Sequence, residues 1–179
     1  MKILCKTKYL ELREGEKSWY YAHRANSGKI VIIIPVIKNE KILFLKTKRP
    51  PLTTEGYTGY NIELPAGLSQ DENKNETLIE CAKRELLEET GLKADNIKTL
   101  CESLTSSAGL TDEISAVFRA DISDDTKIAE PVDDGGVIQK IEYVNITELN
   151  SWLKNEEKLG NTIGAQTLAS LFLFLCDNK

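Results

Sequence analysis

The sequence predicts an α/β sandwich, a mixed central sheet packed between helices, with a small β-hairpin extension at the N-terminus. Three observations predict it. Residues 30–37, Ile-Val-Ile-Ile-Ile-Pro-Val-Ile, form the continuous β-branched run expected of a strand buried on both faces. Residues 76–90 carry apolar side chains at helical spacing and stop at Gly91, a glycine placed to cap a helix C-terminus. Two further helical patterns, 147–153 and 162–176, close the chain.

The remaining elements follow in order. Residues 1–28 hold two short alternating runs, around 9–12 and 19–22, with Arg13-Glu14-Gly15-Glu16 between them, which reads as a hairpin or a pair of edge strands. Residues 29–179 then form the main domain. After the 30–37 strand, residues 38–41 make a turn into a second strand, 42–46, ended by Pro50-Pro51. A loop over 53–60 leads to a short strand, 61–65, and a polar loop, 69–75, leads to the first helix. Strands are expected around 97–104, 114–121 and 138–144, and no internal repeat is present.

Composition excludes several classes. With 41% hydrophobic and 28% charged residues, the chain has an ordinary globular balance. A net charge of −5 argues against nucleic-acid binding, which draws on clustered Lys and Arg. The apolar run 171–176 is far short of the roughly 20 residues a membrane span needs. The first residues become charged at once and resemble no secretory signal, so a cytoplasmic location is expected. Cys5, Cys81, Cys101 and Cys176 are scattered and are expected as free thiols rather than as a zinc site or a disulfide framework.

The first helix carries the chemistry. At about 100° per residue, Leu78, Ile79, Ala82 and Leu86 share one apolar stripe, and Glu85, Glu88 and Glu89 cluster at its edge. Glu76, Glu80 and Lys83 fall on the opposite, solvated side. Carboxylates at these spacings repel one another, and the last helical turn disfavours negative charge. Either the cluster is a charged surface helped by Arg84 pairing with Glu88, or a cation neutralises it. Hard divalent ions take oxygen ligands of this kind.

Residues 84–92, Arg-Glu-Leu-Leu-Glu-Glu-Thr-Gly-Leu, resemble the second half of the Nudix box, R-E-U-x-E-E-x-G-U with U aliphatic, at every defined position. Glu76 precedes Arg84 at the box's spacing. Gly67 matches its opening glycine, although eight residues separate it from Glu76, three more than in the pattern. Lys48-Arg49-Pro50-Pro51, Glu63-Leu64-Pro65-Ala66-Gly67 and the 106–113 loop, Ser-Ser-Ala-Gly-Leu-Thr-Asp-Glu, further resemble the ADP-ribose pyrophosphatase branch. Ala108 stands where that branch has a proline.

The resemblance implies a Nudix-type α/β/α sandwich that hydrolyses the pyrophosphate bond of ADP-ribose, giving AMP and ribose 5-phosphate, or of a similar nucleoside diphosphate sugar such as GDP-mannose or UDP-glucose. A non-catalytic ligand sensor is the alternative of a different class. The resemblance implies Mg²⁺, with Mn²⁺ able to substitute, held by Glu85, Glu88, Glu89 and the backbone carbonyl of Ala66. Arg84 would orient a carboxylate. The general base is left between Glu130, Asp133 or Asp134 on a loop after the box and a box glutamate. Trp19, Arg24, Arg49, Ala66 and Gly109 are the candidates for substrate contact, with Trp19 either stacking on a base or merely packing the hairpin. His23 has no assigned role. The branch also implies a homodimer, which suits a hairpin too small to be stable alone.

Overall fold

The computed structural model describes residues 1–25, 28–70, 74–132 and 137–177. Its sheet is built on two long strands that begin as a hairpin and then part. β4 (Ile30–Ile37) and β5 (Lys41–Lys48) pair only at Val36–Ile42 and Ile37–Lys41. The turn between them puts Lys38 and Asn39 at φ 52° and 55°, the left-handed pair that matches strand twist in a tight hairpin. Beyond the hairpin, β4 pairs instead with β7 (Ala66–Leu68) and β5 with β6 (Tyr60–Glu63). The fork so opened is the feature that positions the site.

The other edges extend the sheet. β9 (Ser115–Ile122) runs parallel to β4 along its whole length, and β8 (Asn96–Leu104) is antiparallel to β9. β10 (Ile138–Asn145) covers the free edge of β5, and β11 (Thr162–Ile163) lies parallel to β6. Both faces are covered, as the β-branched run predicts. Val31, Ile33, Leu43 and Leu45 pack on one side with Ala82, Leu86 and Leu92, under α1 (Leu78–Thr90). Ile32, Ile34, Ile42 and Phe44 pack on the other with Leu149, Leu171 and Phe174, from α2 (Leu149–Lys158) and α3 (Ala165–Asp177). Alternate residues of one strand thus supply two cores. No helix among the described residues is long and apolar enough to cross a membrane. The four cysteines are free, and burial pushes the Cys81 thiol up to about 12.

Several elements differ from expectation. The N-terminal extension holds the expected hairpin, β2 (Leu10–Glu14) with β3 (Tyr20–Arg24), and adds to it a strand the sequence did not suggest, β1 (Lys2–Lys6), in a three-stranded antiparallel sheet. Its first strand is exposed throughout and is set by pairing with β2 rather than by an apolar pattern. α1 begins at Leu78, because Thr77 accepts the Glu80 amide while the Glu80 carboxylate accepts the Thr77 amide, a reciprocal capping box. Glu76 therefore precedes the helix, and it is partly buried against Arg84 rather than solvated. Ile79 leaves the core stripe and is 41% exposed. Residues 162–163 form β11, so the last helix starts only at Ala165.

Gly91 ends α1 at φ 75°, and a side chain there would run into the carbonyl oxygen of Ala129. The segment after β9 lies against this helix end: Ile128 N–H donates to Gly91 O at 2.9 Å and Val132 N–H to Glu88 O at 2.7 Å. These bonds satisfy carbonyls that a helix C-terminus leaves without partners. Gly91→Ala combines left-handed strain with that collision, so urea denaturation should show a loss of more than about 1 kcal/mol.

Candidate active site

The fork between β4 and β5 opens into a cleft of about 430 Å³. Ile30 and Ile32 line it from β4, Thr47 and Arg49 from the end of β5, Asn61 and Glu63 from β6, and Ala66 and Gly67 from β7. Glu89 enters from α1, Arg24 and Glu113 from the N-terminal side, and Gln166 and Thr167 from the first turn of α3. The cleft thus sets the carboxyl groups of Glu63, Glu89 and Glu113 beside two arginines.

Arg84 organises the helix carboxylates behind Glu89, and Glu85 and Glu88 are not among the residues lining the cleft. The Arg84 Nε donates to Glu76 Oε1 at 2.9 Å, and its Nη1 lies 2.8 Å from Glu85 Oε1 and 3.0 Å from Glu88 Oε2. Nη2 reaches the carbonyl of Leu68 at 3.3 Å, tying the helix to β7. One guanidinium therefore serves three carboxylates. The hydrogen bonds from Arg84 hold the Glu76 carboxyl below the usual range, and those carboxylates in turn raise the arginine's own proton affinity. Gly67 is required here because a Cβ would occupy the place of the Glu85 carboxyl group.

Glu89 lies on the cleft side of this arrangement. It accepts the Ala66 amide at 2.9 Å, but burial, reinforced by the negative charges of Glu85 and Glu63, pushes its pKa up to about 8. Among the described residues no three His, Cys, Asp or Glu side chains already converge as a metal cage. The donors are nevertheless all oxygen, and Glu89 is a carboxylate that a proton or a cation must neutralise. That chemistry suits a hard divalent ion.

The predicted substrate residues fall into two groups. Arg24 and Arg49 both line the cleft, held by Glu113 at 2.7 Å and by Glu63 at 2.6 and 2.9 Å. Trp19, 59% exposed, donates its indole N–H to the carbonyl of Gly109 at 3.2 Å, so these two predicted residues touch. The contact is part of a seam in which the Ala22 amide donates to Leu110 O at 2.7 Å, and His23 Nδ1 lies 2.8 Å from Asp112 Oδ2. Glu130 is exposed, between the two amides that cap α1, and is not among the residues lining the cleft. Asp133 and Asp134 lie outside the described residues. Sequence reasoning gave no role to Glu63 and Glu113. Each shares a motif with a predicted residue, but its partner comes from a separate strand.

A helix lying on a mixed sheet thus delivers Glu89, from its last turn, into a fork beside two arginines. Residues 27–163 match the NUDIX domain family, and the chain belongs to it. A GDP-mannose pyrophosphatase of Yersinia enterocolitica (serotype O:8 / biotype 1B) is 34% identical over 112 residues, 62% of this chain but only 53% of that protein's length. One of Yersinia pestis (strain Pestoides F) is 26% identical over 149 residues, covering 83% of this chain and 73% of that protein. A crystal structure of an ADP compounds hydrolase superposes with a TM-score of 0.67 at 16% identity, covering 97% of this chain and 88% of that one, a likeness of fold.

The raised proton affinity of Glu89 has a consequence for stability. A carboxyl that holds its proton more tightly when folded stabilises the fold while protonated. That contribution is complete below about pH 4.5 and is lost as pH climbs towards 8. In chelator-treated protein, the unfolding free energy should decline across this window, and Glu89→Gln should flatten the decline. Denaturant titrations at several pH values check it.

Proposed function

We propose that the protein hydrolyses the pyrophosphate bond of a nucleoside diphosphate sugar, with Mg²⁺, or Mn²⁺ in its place, held by Glu85, Glu88, Glu89 and the carbonyl of Ala66. The observation that carries this reading is Glu89: a carboxylate under burial and like-charge pressure, in a cleft that also holds Arg24 and Arg49. A sensor that only bound its ligand would have no need to keep every box glutamate.

A divalent cation bound there supplies charge neutralisation on the diphosphate and makes water a competent nucleophile near neutral pH. The chain's own residues do the rest. Arg84 keeps Glu85 and Glu88 oriented, and the Ala66 amide orients Glu89. Arg24 and Arg49 offer cationic contacts to phosphate oxygens or to the base, and planar guanidinium groups suit both. Trp19 and Gly109 sit together on the N-terminal side, where an exposed indole face can stack on a base. Glu130 and Asp134, on the segment after the box, are the candidates for general base, with a box glutamate as the competing choice.

Two substrates lead within the class. ADP-ribose follows from the motifs around Arg49 and Ala66, weakened by Ala108 in place of the branch's proline, and GDP-mannose follows from the names of the Yersinia relatives. Cleavage would release AMP and ribose 5-phosphate from the first, or GMP and mannose 1-phosphate from the second. Phosphatase-coupled phosphate release over a panel of both, with UDP-glucose, separates them. A tenfold preference for GDP-mannose would remove the ADP-ribose assignment. Chelation should abolish turnover of whichever is preferred, and Mg²⁺ should restore it. Glu89→Gln should cost about a hundredfold or more in kcat; full activity in that variant would overturn the metal assignment.

The protein is also read as a homodimer joined through its N-terminal sheet. Leu10, Leu12 and Tyr20 share one face of that sheet and are each more than 40% exposed, an apolar surface that a second copy would cover. Light scattering should give twice the chain mass, and Leu10→Lys with Leu12→Lys should halve it.

A further inference from the structure

Glu63 stands in the cleft without a task in the reaction as described above. Its surroundings are nonetheless built. The β5–β6 register sets Leu45 against Glu63 and Thr47 against Asn61, so Asn61 and Glu63 lie on one face of β6. Thr162 Oγ1 donates to Asn61 Oδ1 at 2.7 Å, and Asn61 Nδ2 donates to Glu63 Oε1 at 2.6 Å. Arg49 completes the chain, with Nε 2.9 Å from Glu63 Oε1 and Nη2 2.6 Å from Oε2. Both carboxylate oxygens are therefore engaged, from three donors on two side chains.

The cost of this arrangement points to its purpose. A carboxylate beside Glu89 repels an anionic diphosphate and also disfavours a second negative charge. Arg49 has a half-exposed side chain just beyond the end of β5, and such an arginine otherwise samples many rotamers. A two-bond clamp fixes the plane of a guanidinium as well as its position. We propose that Glu63 is a positioning residue, anchored by Asn61 and Thr162, that holds Arg49 in the orientation which receives the substrate's diphosphate. This rests on the reading of the cleft as a nucleoside diphosphate site.

Electrostatics alone and positioning predict opposite signs for one substitution. Removing a negative charge from a phosphate cleft should tighten anion binding if Glu63 acts only through its charge. If it positions Arg49, binding should weaken. Calorimetric titration of ADP and GDP with Mg²⁺ into Glu63→Gln should show Kd raised about tenfold, the scale of a charge-assisted hydrogen bond. KM should rise similarly while kcat changes less than about threefold. In an Arg49→Ala background the same substitution should have almost no further effect on Kd. Should Glu63→Gln not fold, Asn61→Ala loosens the same clamp and should give a smaller rise of the same sign. Unchanged or tighter binding, or an equal effect with and without Arg49, overturns the proposal while leaving the pyrophosphatase reading standing. Wild-type protein that neither binds these nucleotides nor hydrolyses their sugar derivatives overturns both.

Discussion

Arg84 is the interaction on which the site depends. Glutamates at 85, 88 and 89 place three carboxyl groups in the last turns of one helix, where both their mutual repulsion and the helix dipole disfavour ionisation. A guanidinium has donors enough, in a fixed plane, to serve several carboxylates at once, which a lysine cannot do. Here it joins Glu76 from the segment before the helix to Glu85 and Glu88 within it, and also reaches the Leu68 carbonyl on β7. One side chain thus closes the polar loop around the helix start, fixes two carboxylates and docks the helix beside the fork. Glu89 is left outside this compensation, and burial pushes its pKa up to about 8.

The fork supplies the other half of the arrangement. Had β4 and β5 stayed paired along their length, no room would exist between them. Their separation after two residue pairs lets β6 and β7 insert, and each brings a functional group to the same place. Gly67 permits the approach of the Glu85 carboxyl, and the Ala66 amide meets Glu89. The chemistry of the cleft arises here from strand divergence, a backbone property, and only then from side chains.

Much of this was legible in the sequence because two patterns dominate locally. The β-branched run 30–37 predicted a strand covered on both faces, and alternate residues do feed separate cores. The glutamate helix and its cap were equally plain, since capping and periodicity are short-range. What escaped were features made by long-range pairing. β7 and β11, of three and two residues, are too short for any propensity to register. Ile79 shares a helical face with core residues, but periodicity does not say how wide the covering surface is. Glu63 and Glu113 acquire meaning only from partners 14 and 89 residues away. Glu76 was misplaced because helical periodicity was carried past the Thr77 cap onto a residue that precedes the helix.

The seam between β3 and the 107–113 loop holds main-chain bonds, Ala22 N–H to Leu110 O and a parallel bridge from Ala22 to Thr111, beside the side-chain contacts of Trp19, His23 and Arg24. The main-chain bonds are indifferent to side-chain identity. Leu110, 70% exposed, can therefore vary, as can Ala108, without disturbing how the N-terminal sheet seats itself. The edge thus separates two demands on the chain, since its outward side chains can be exchanged while the docking of one sheet on the other stays unaltered.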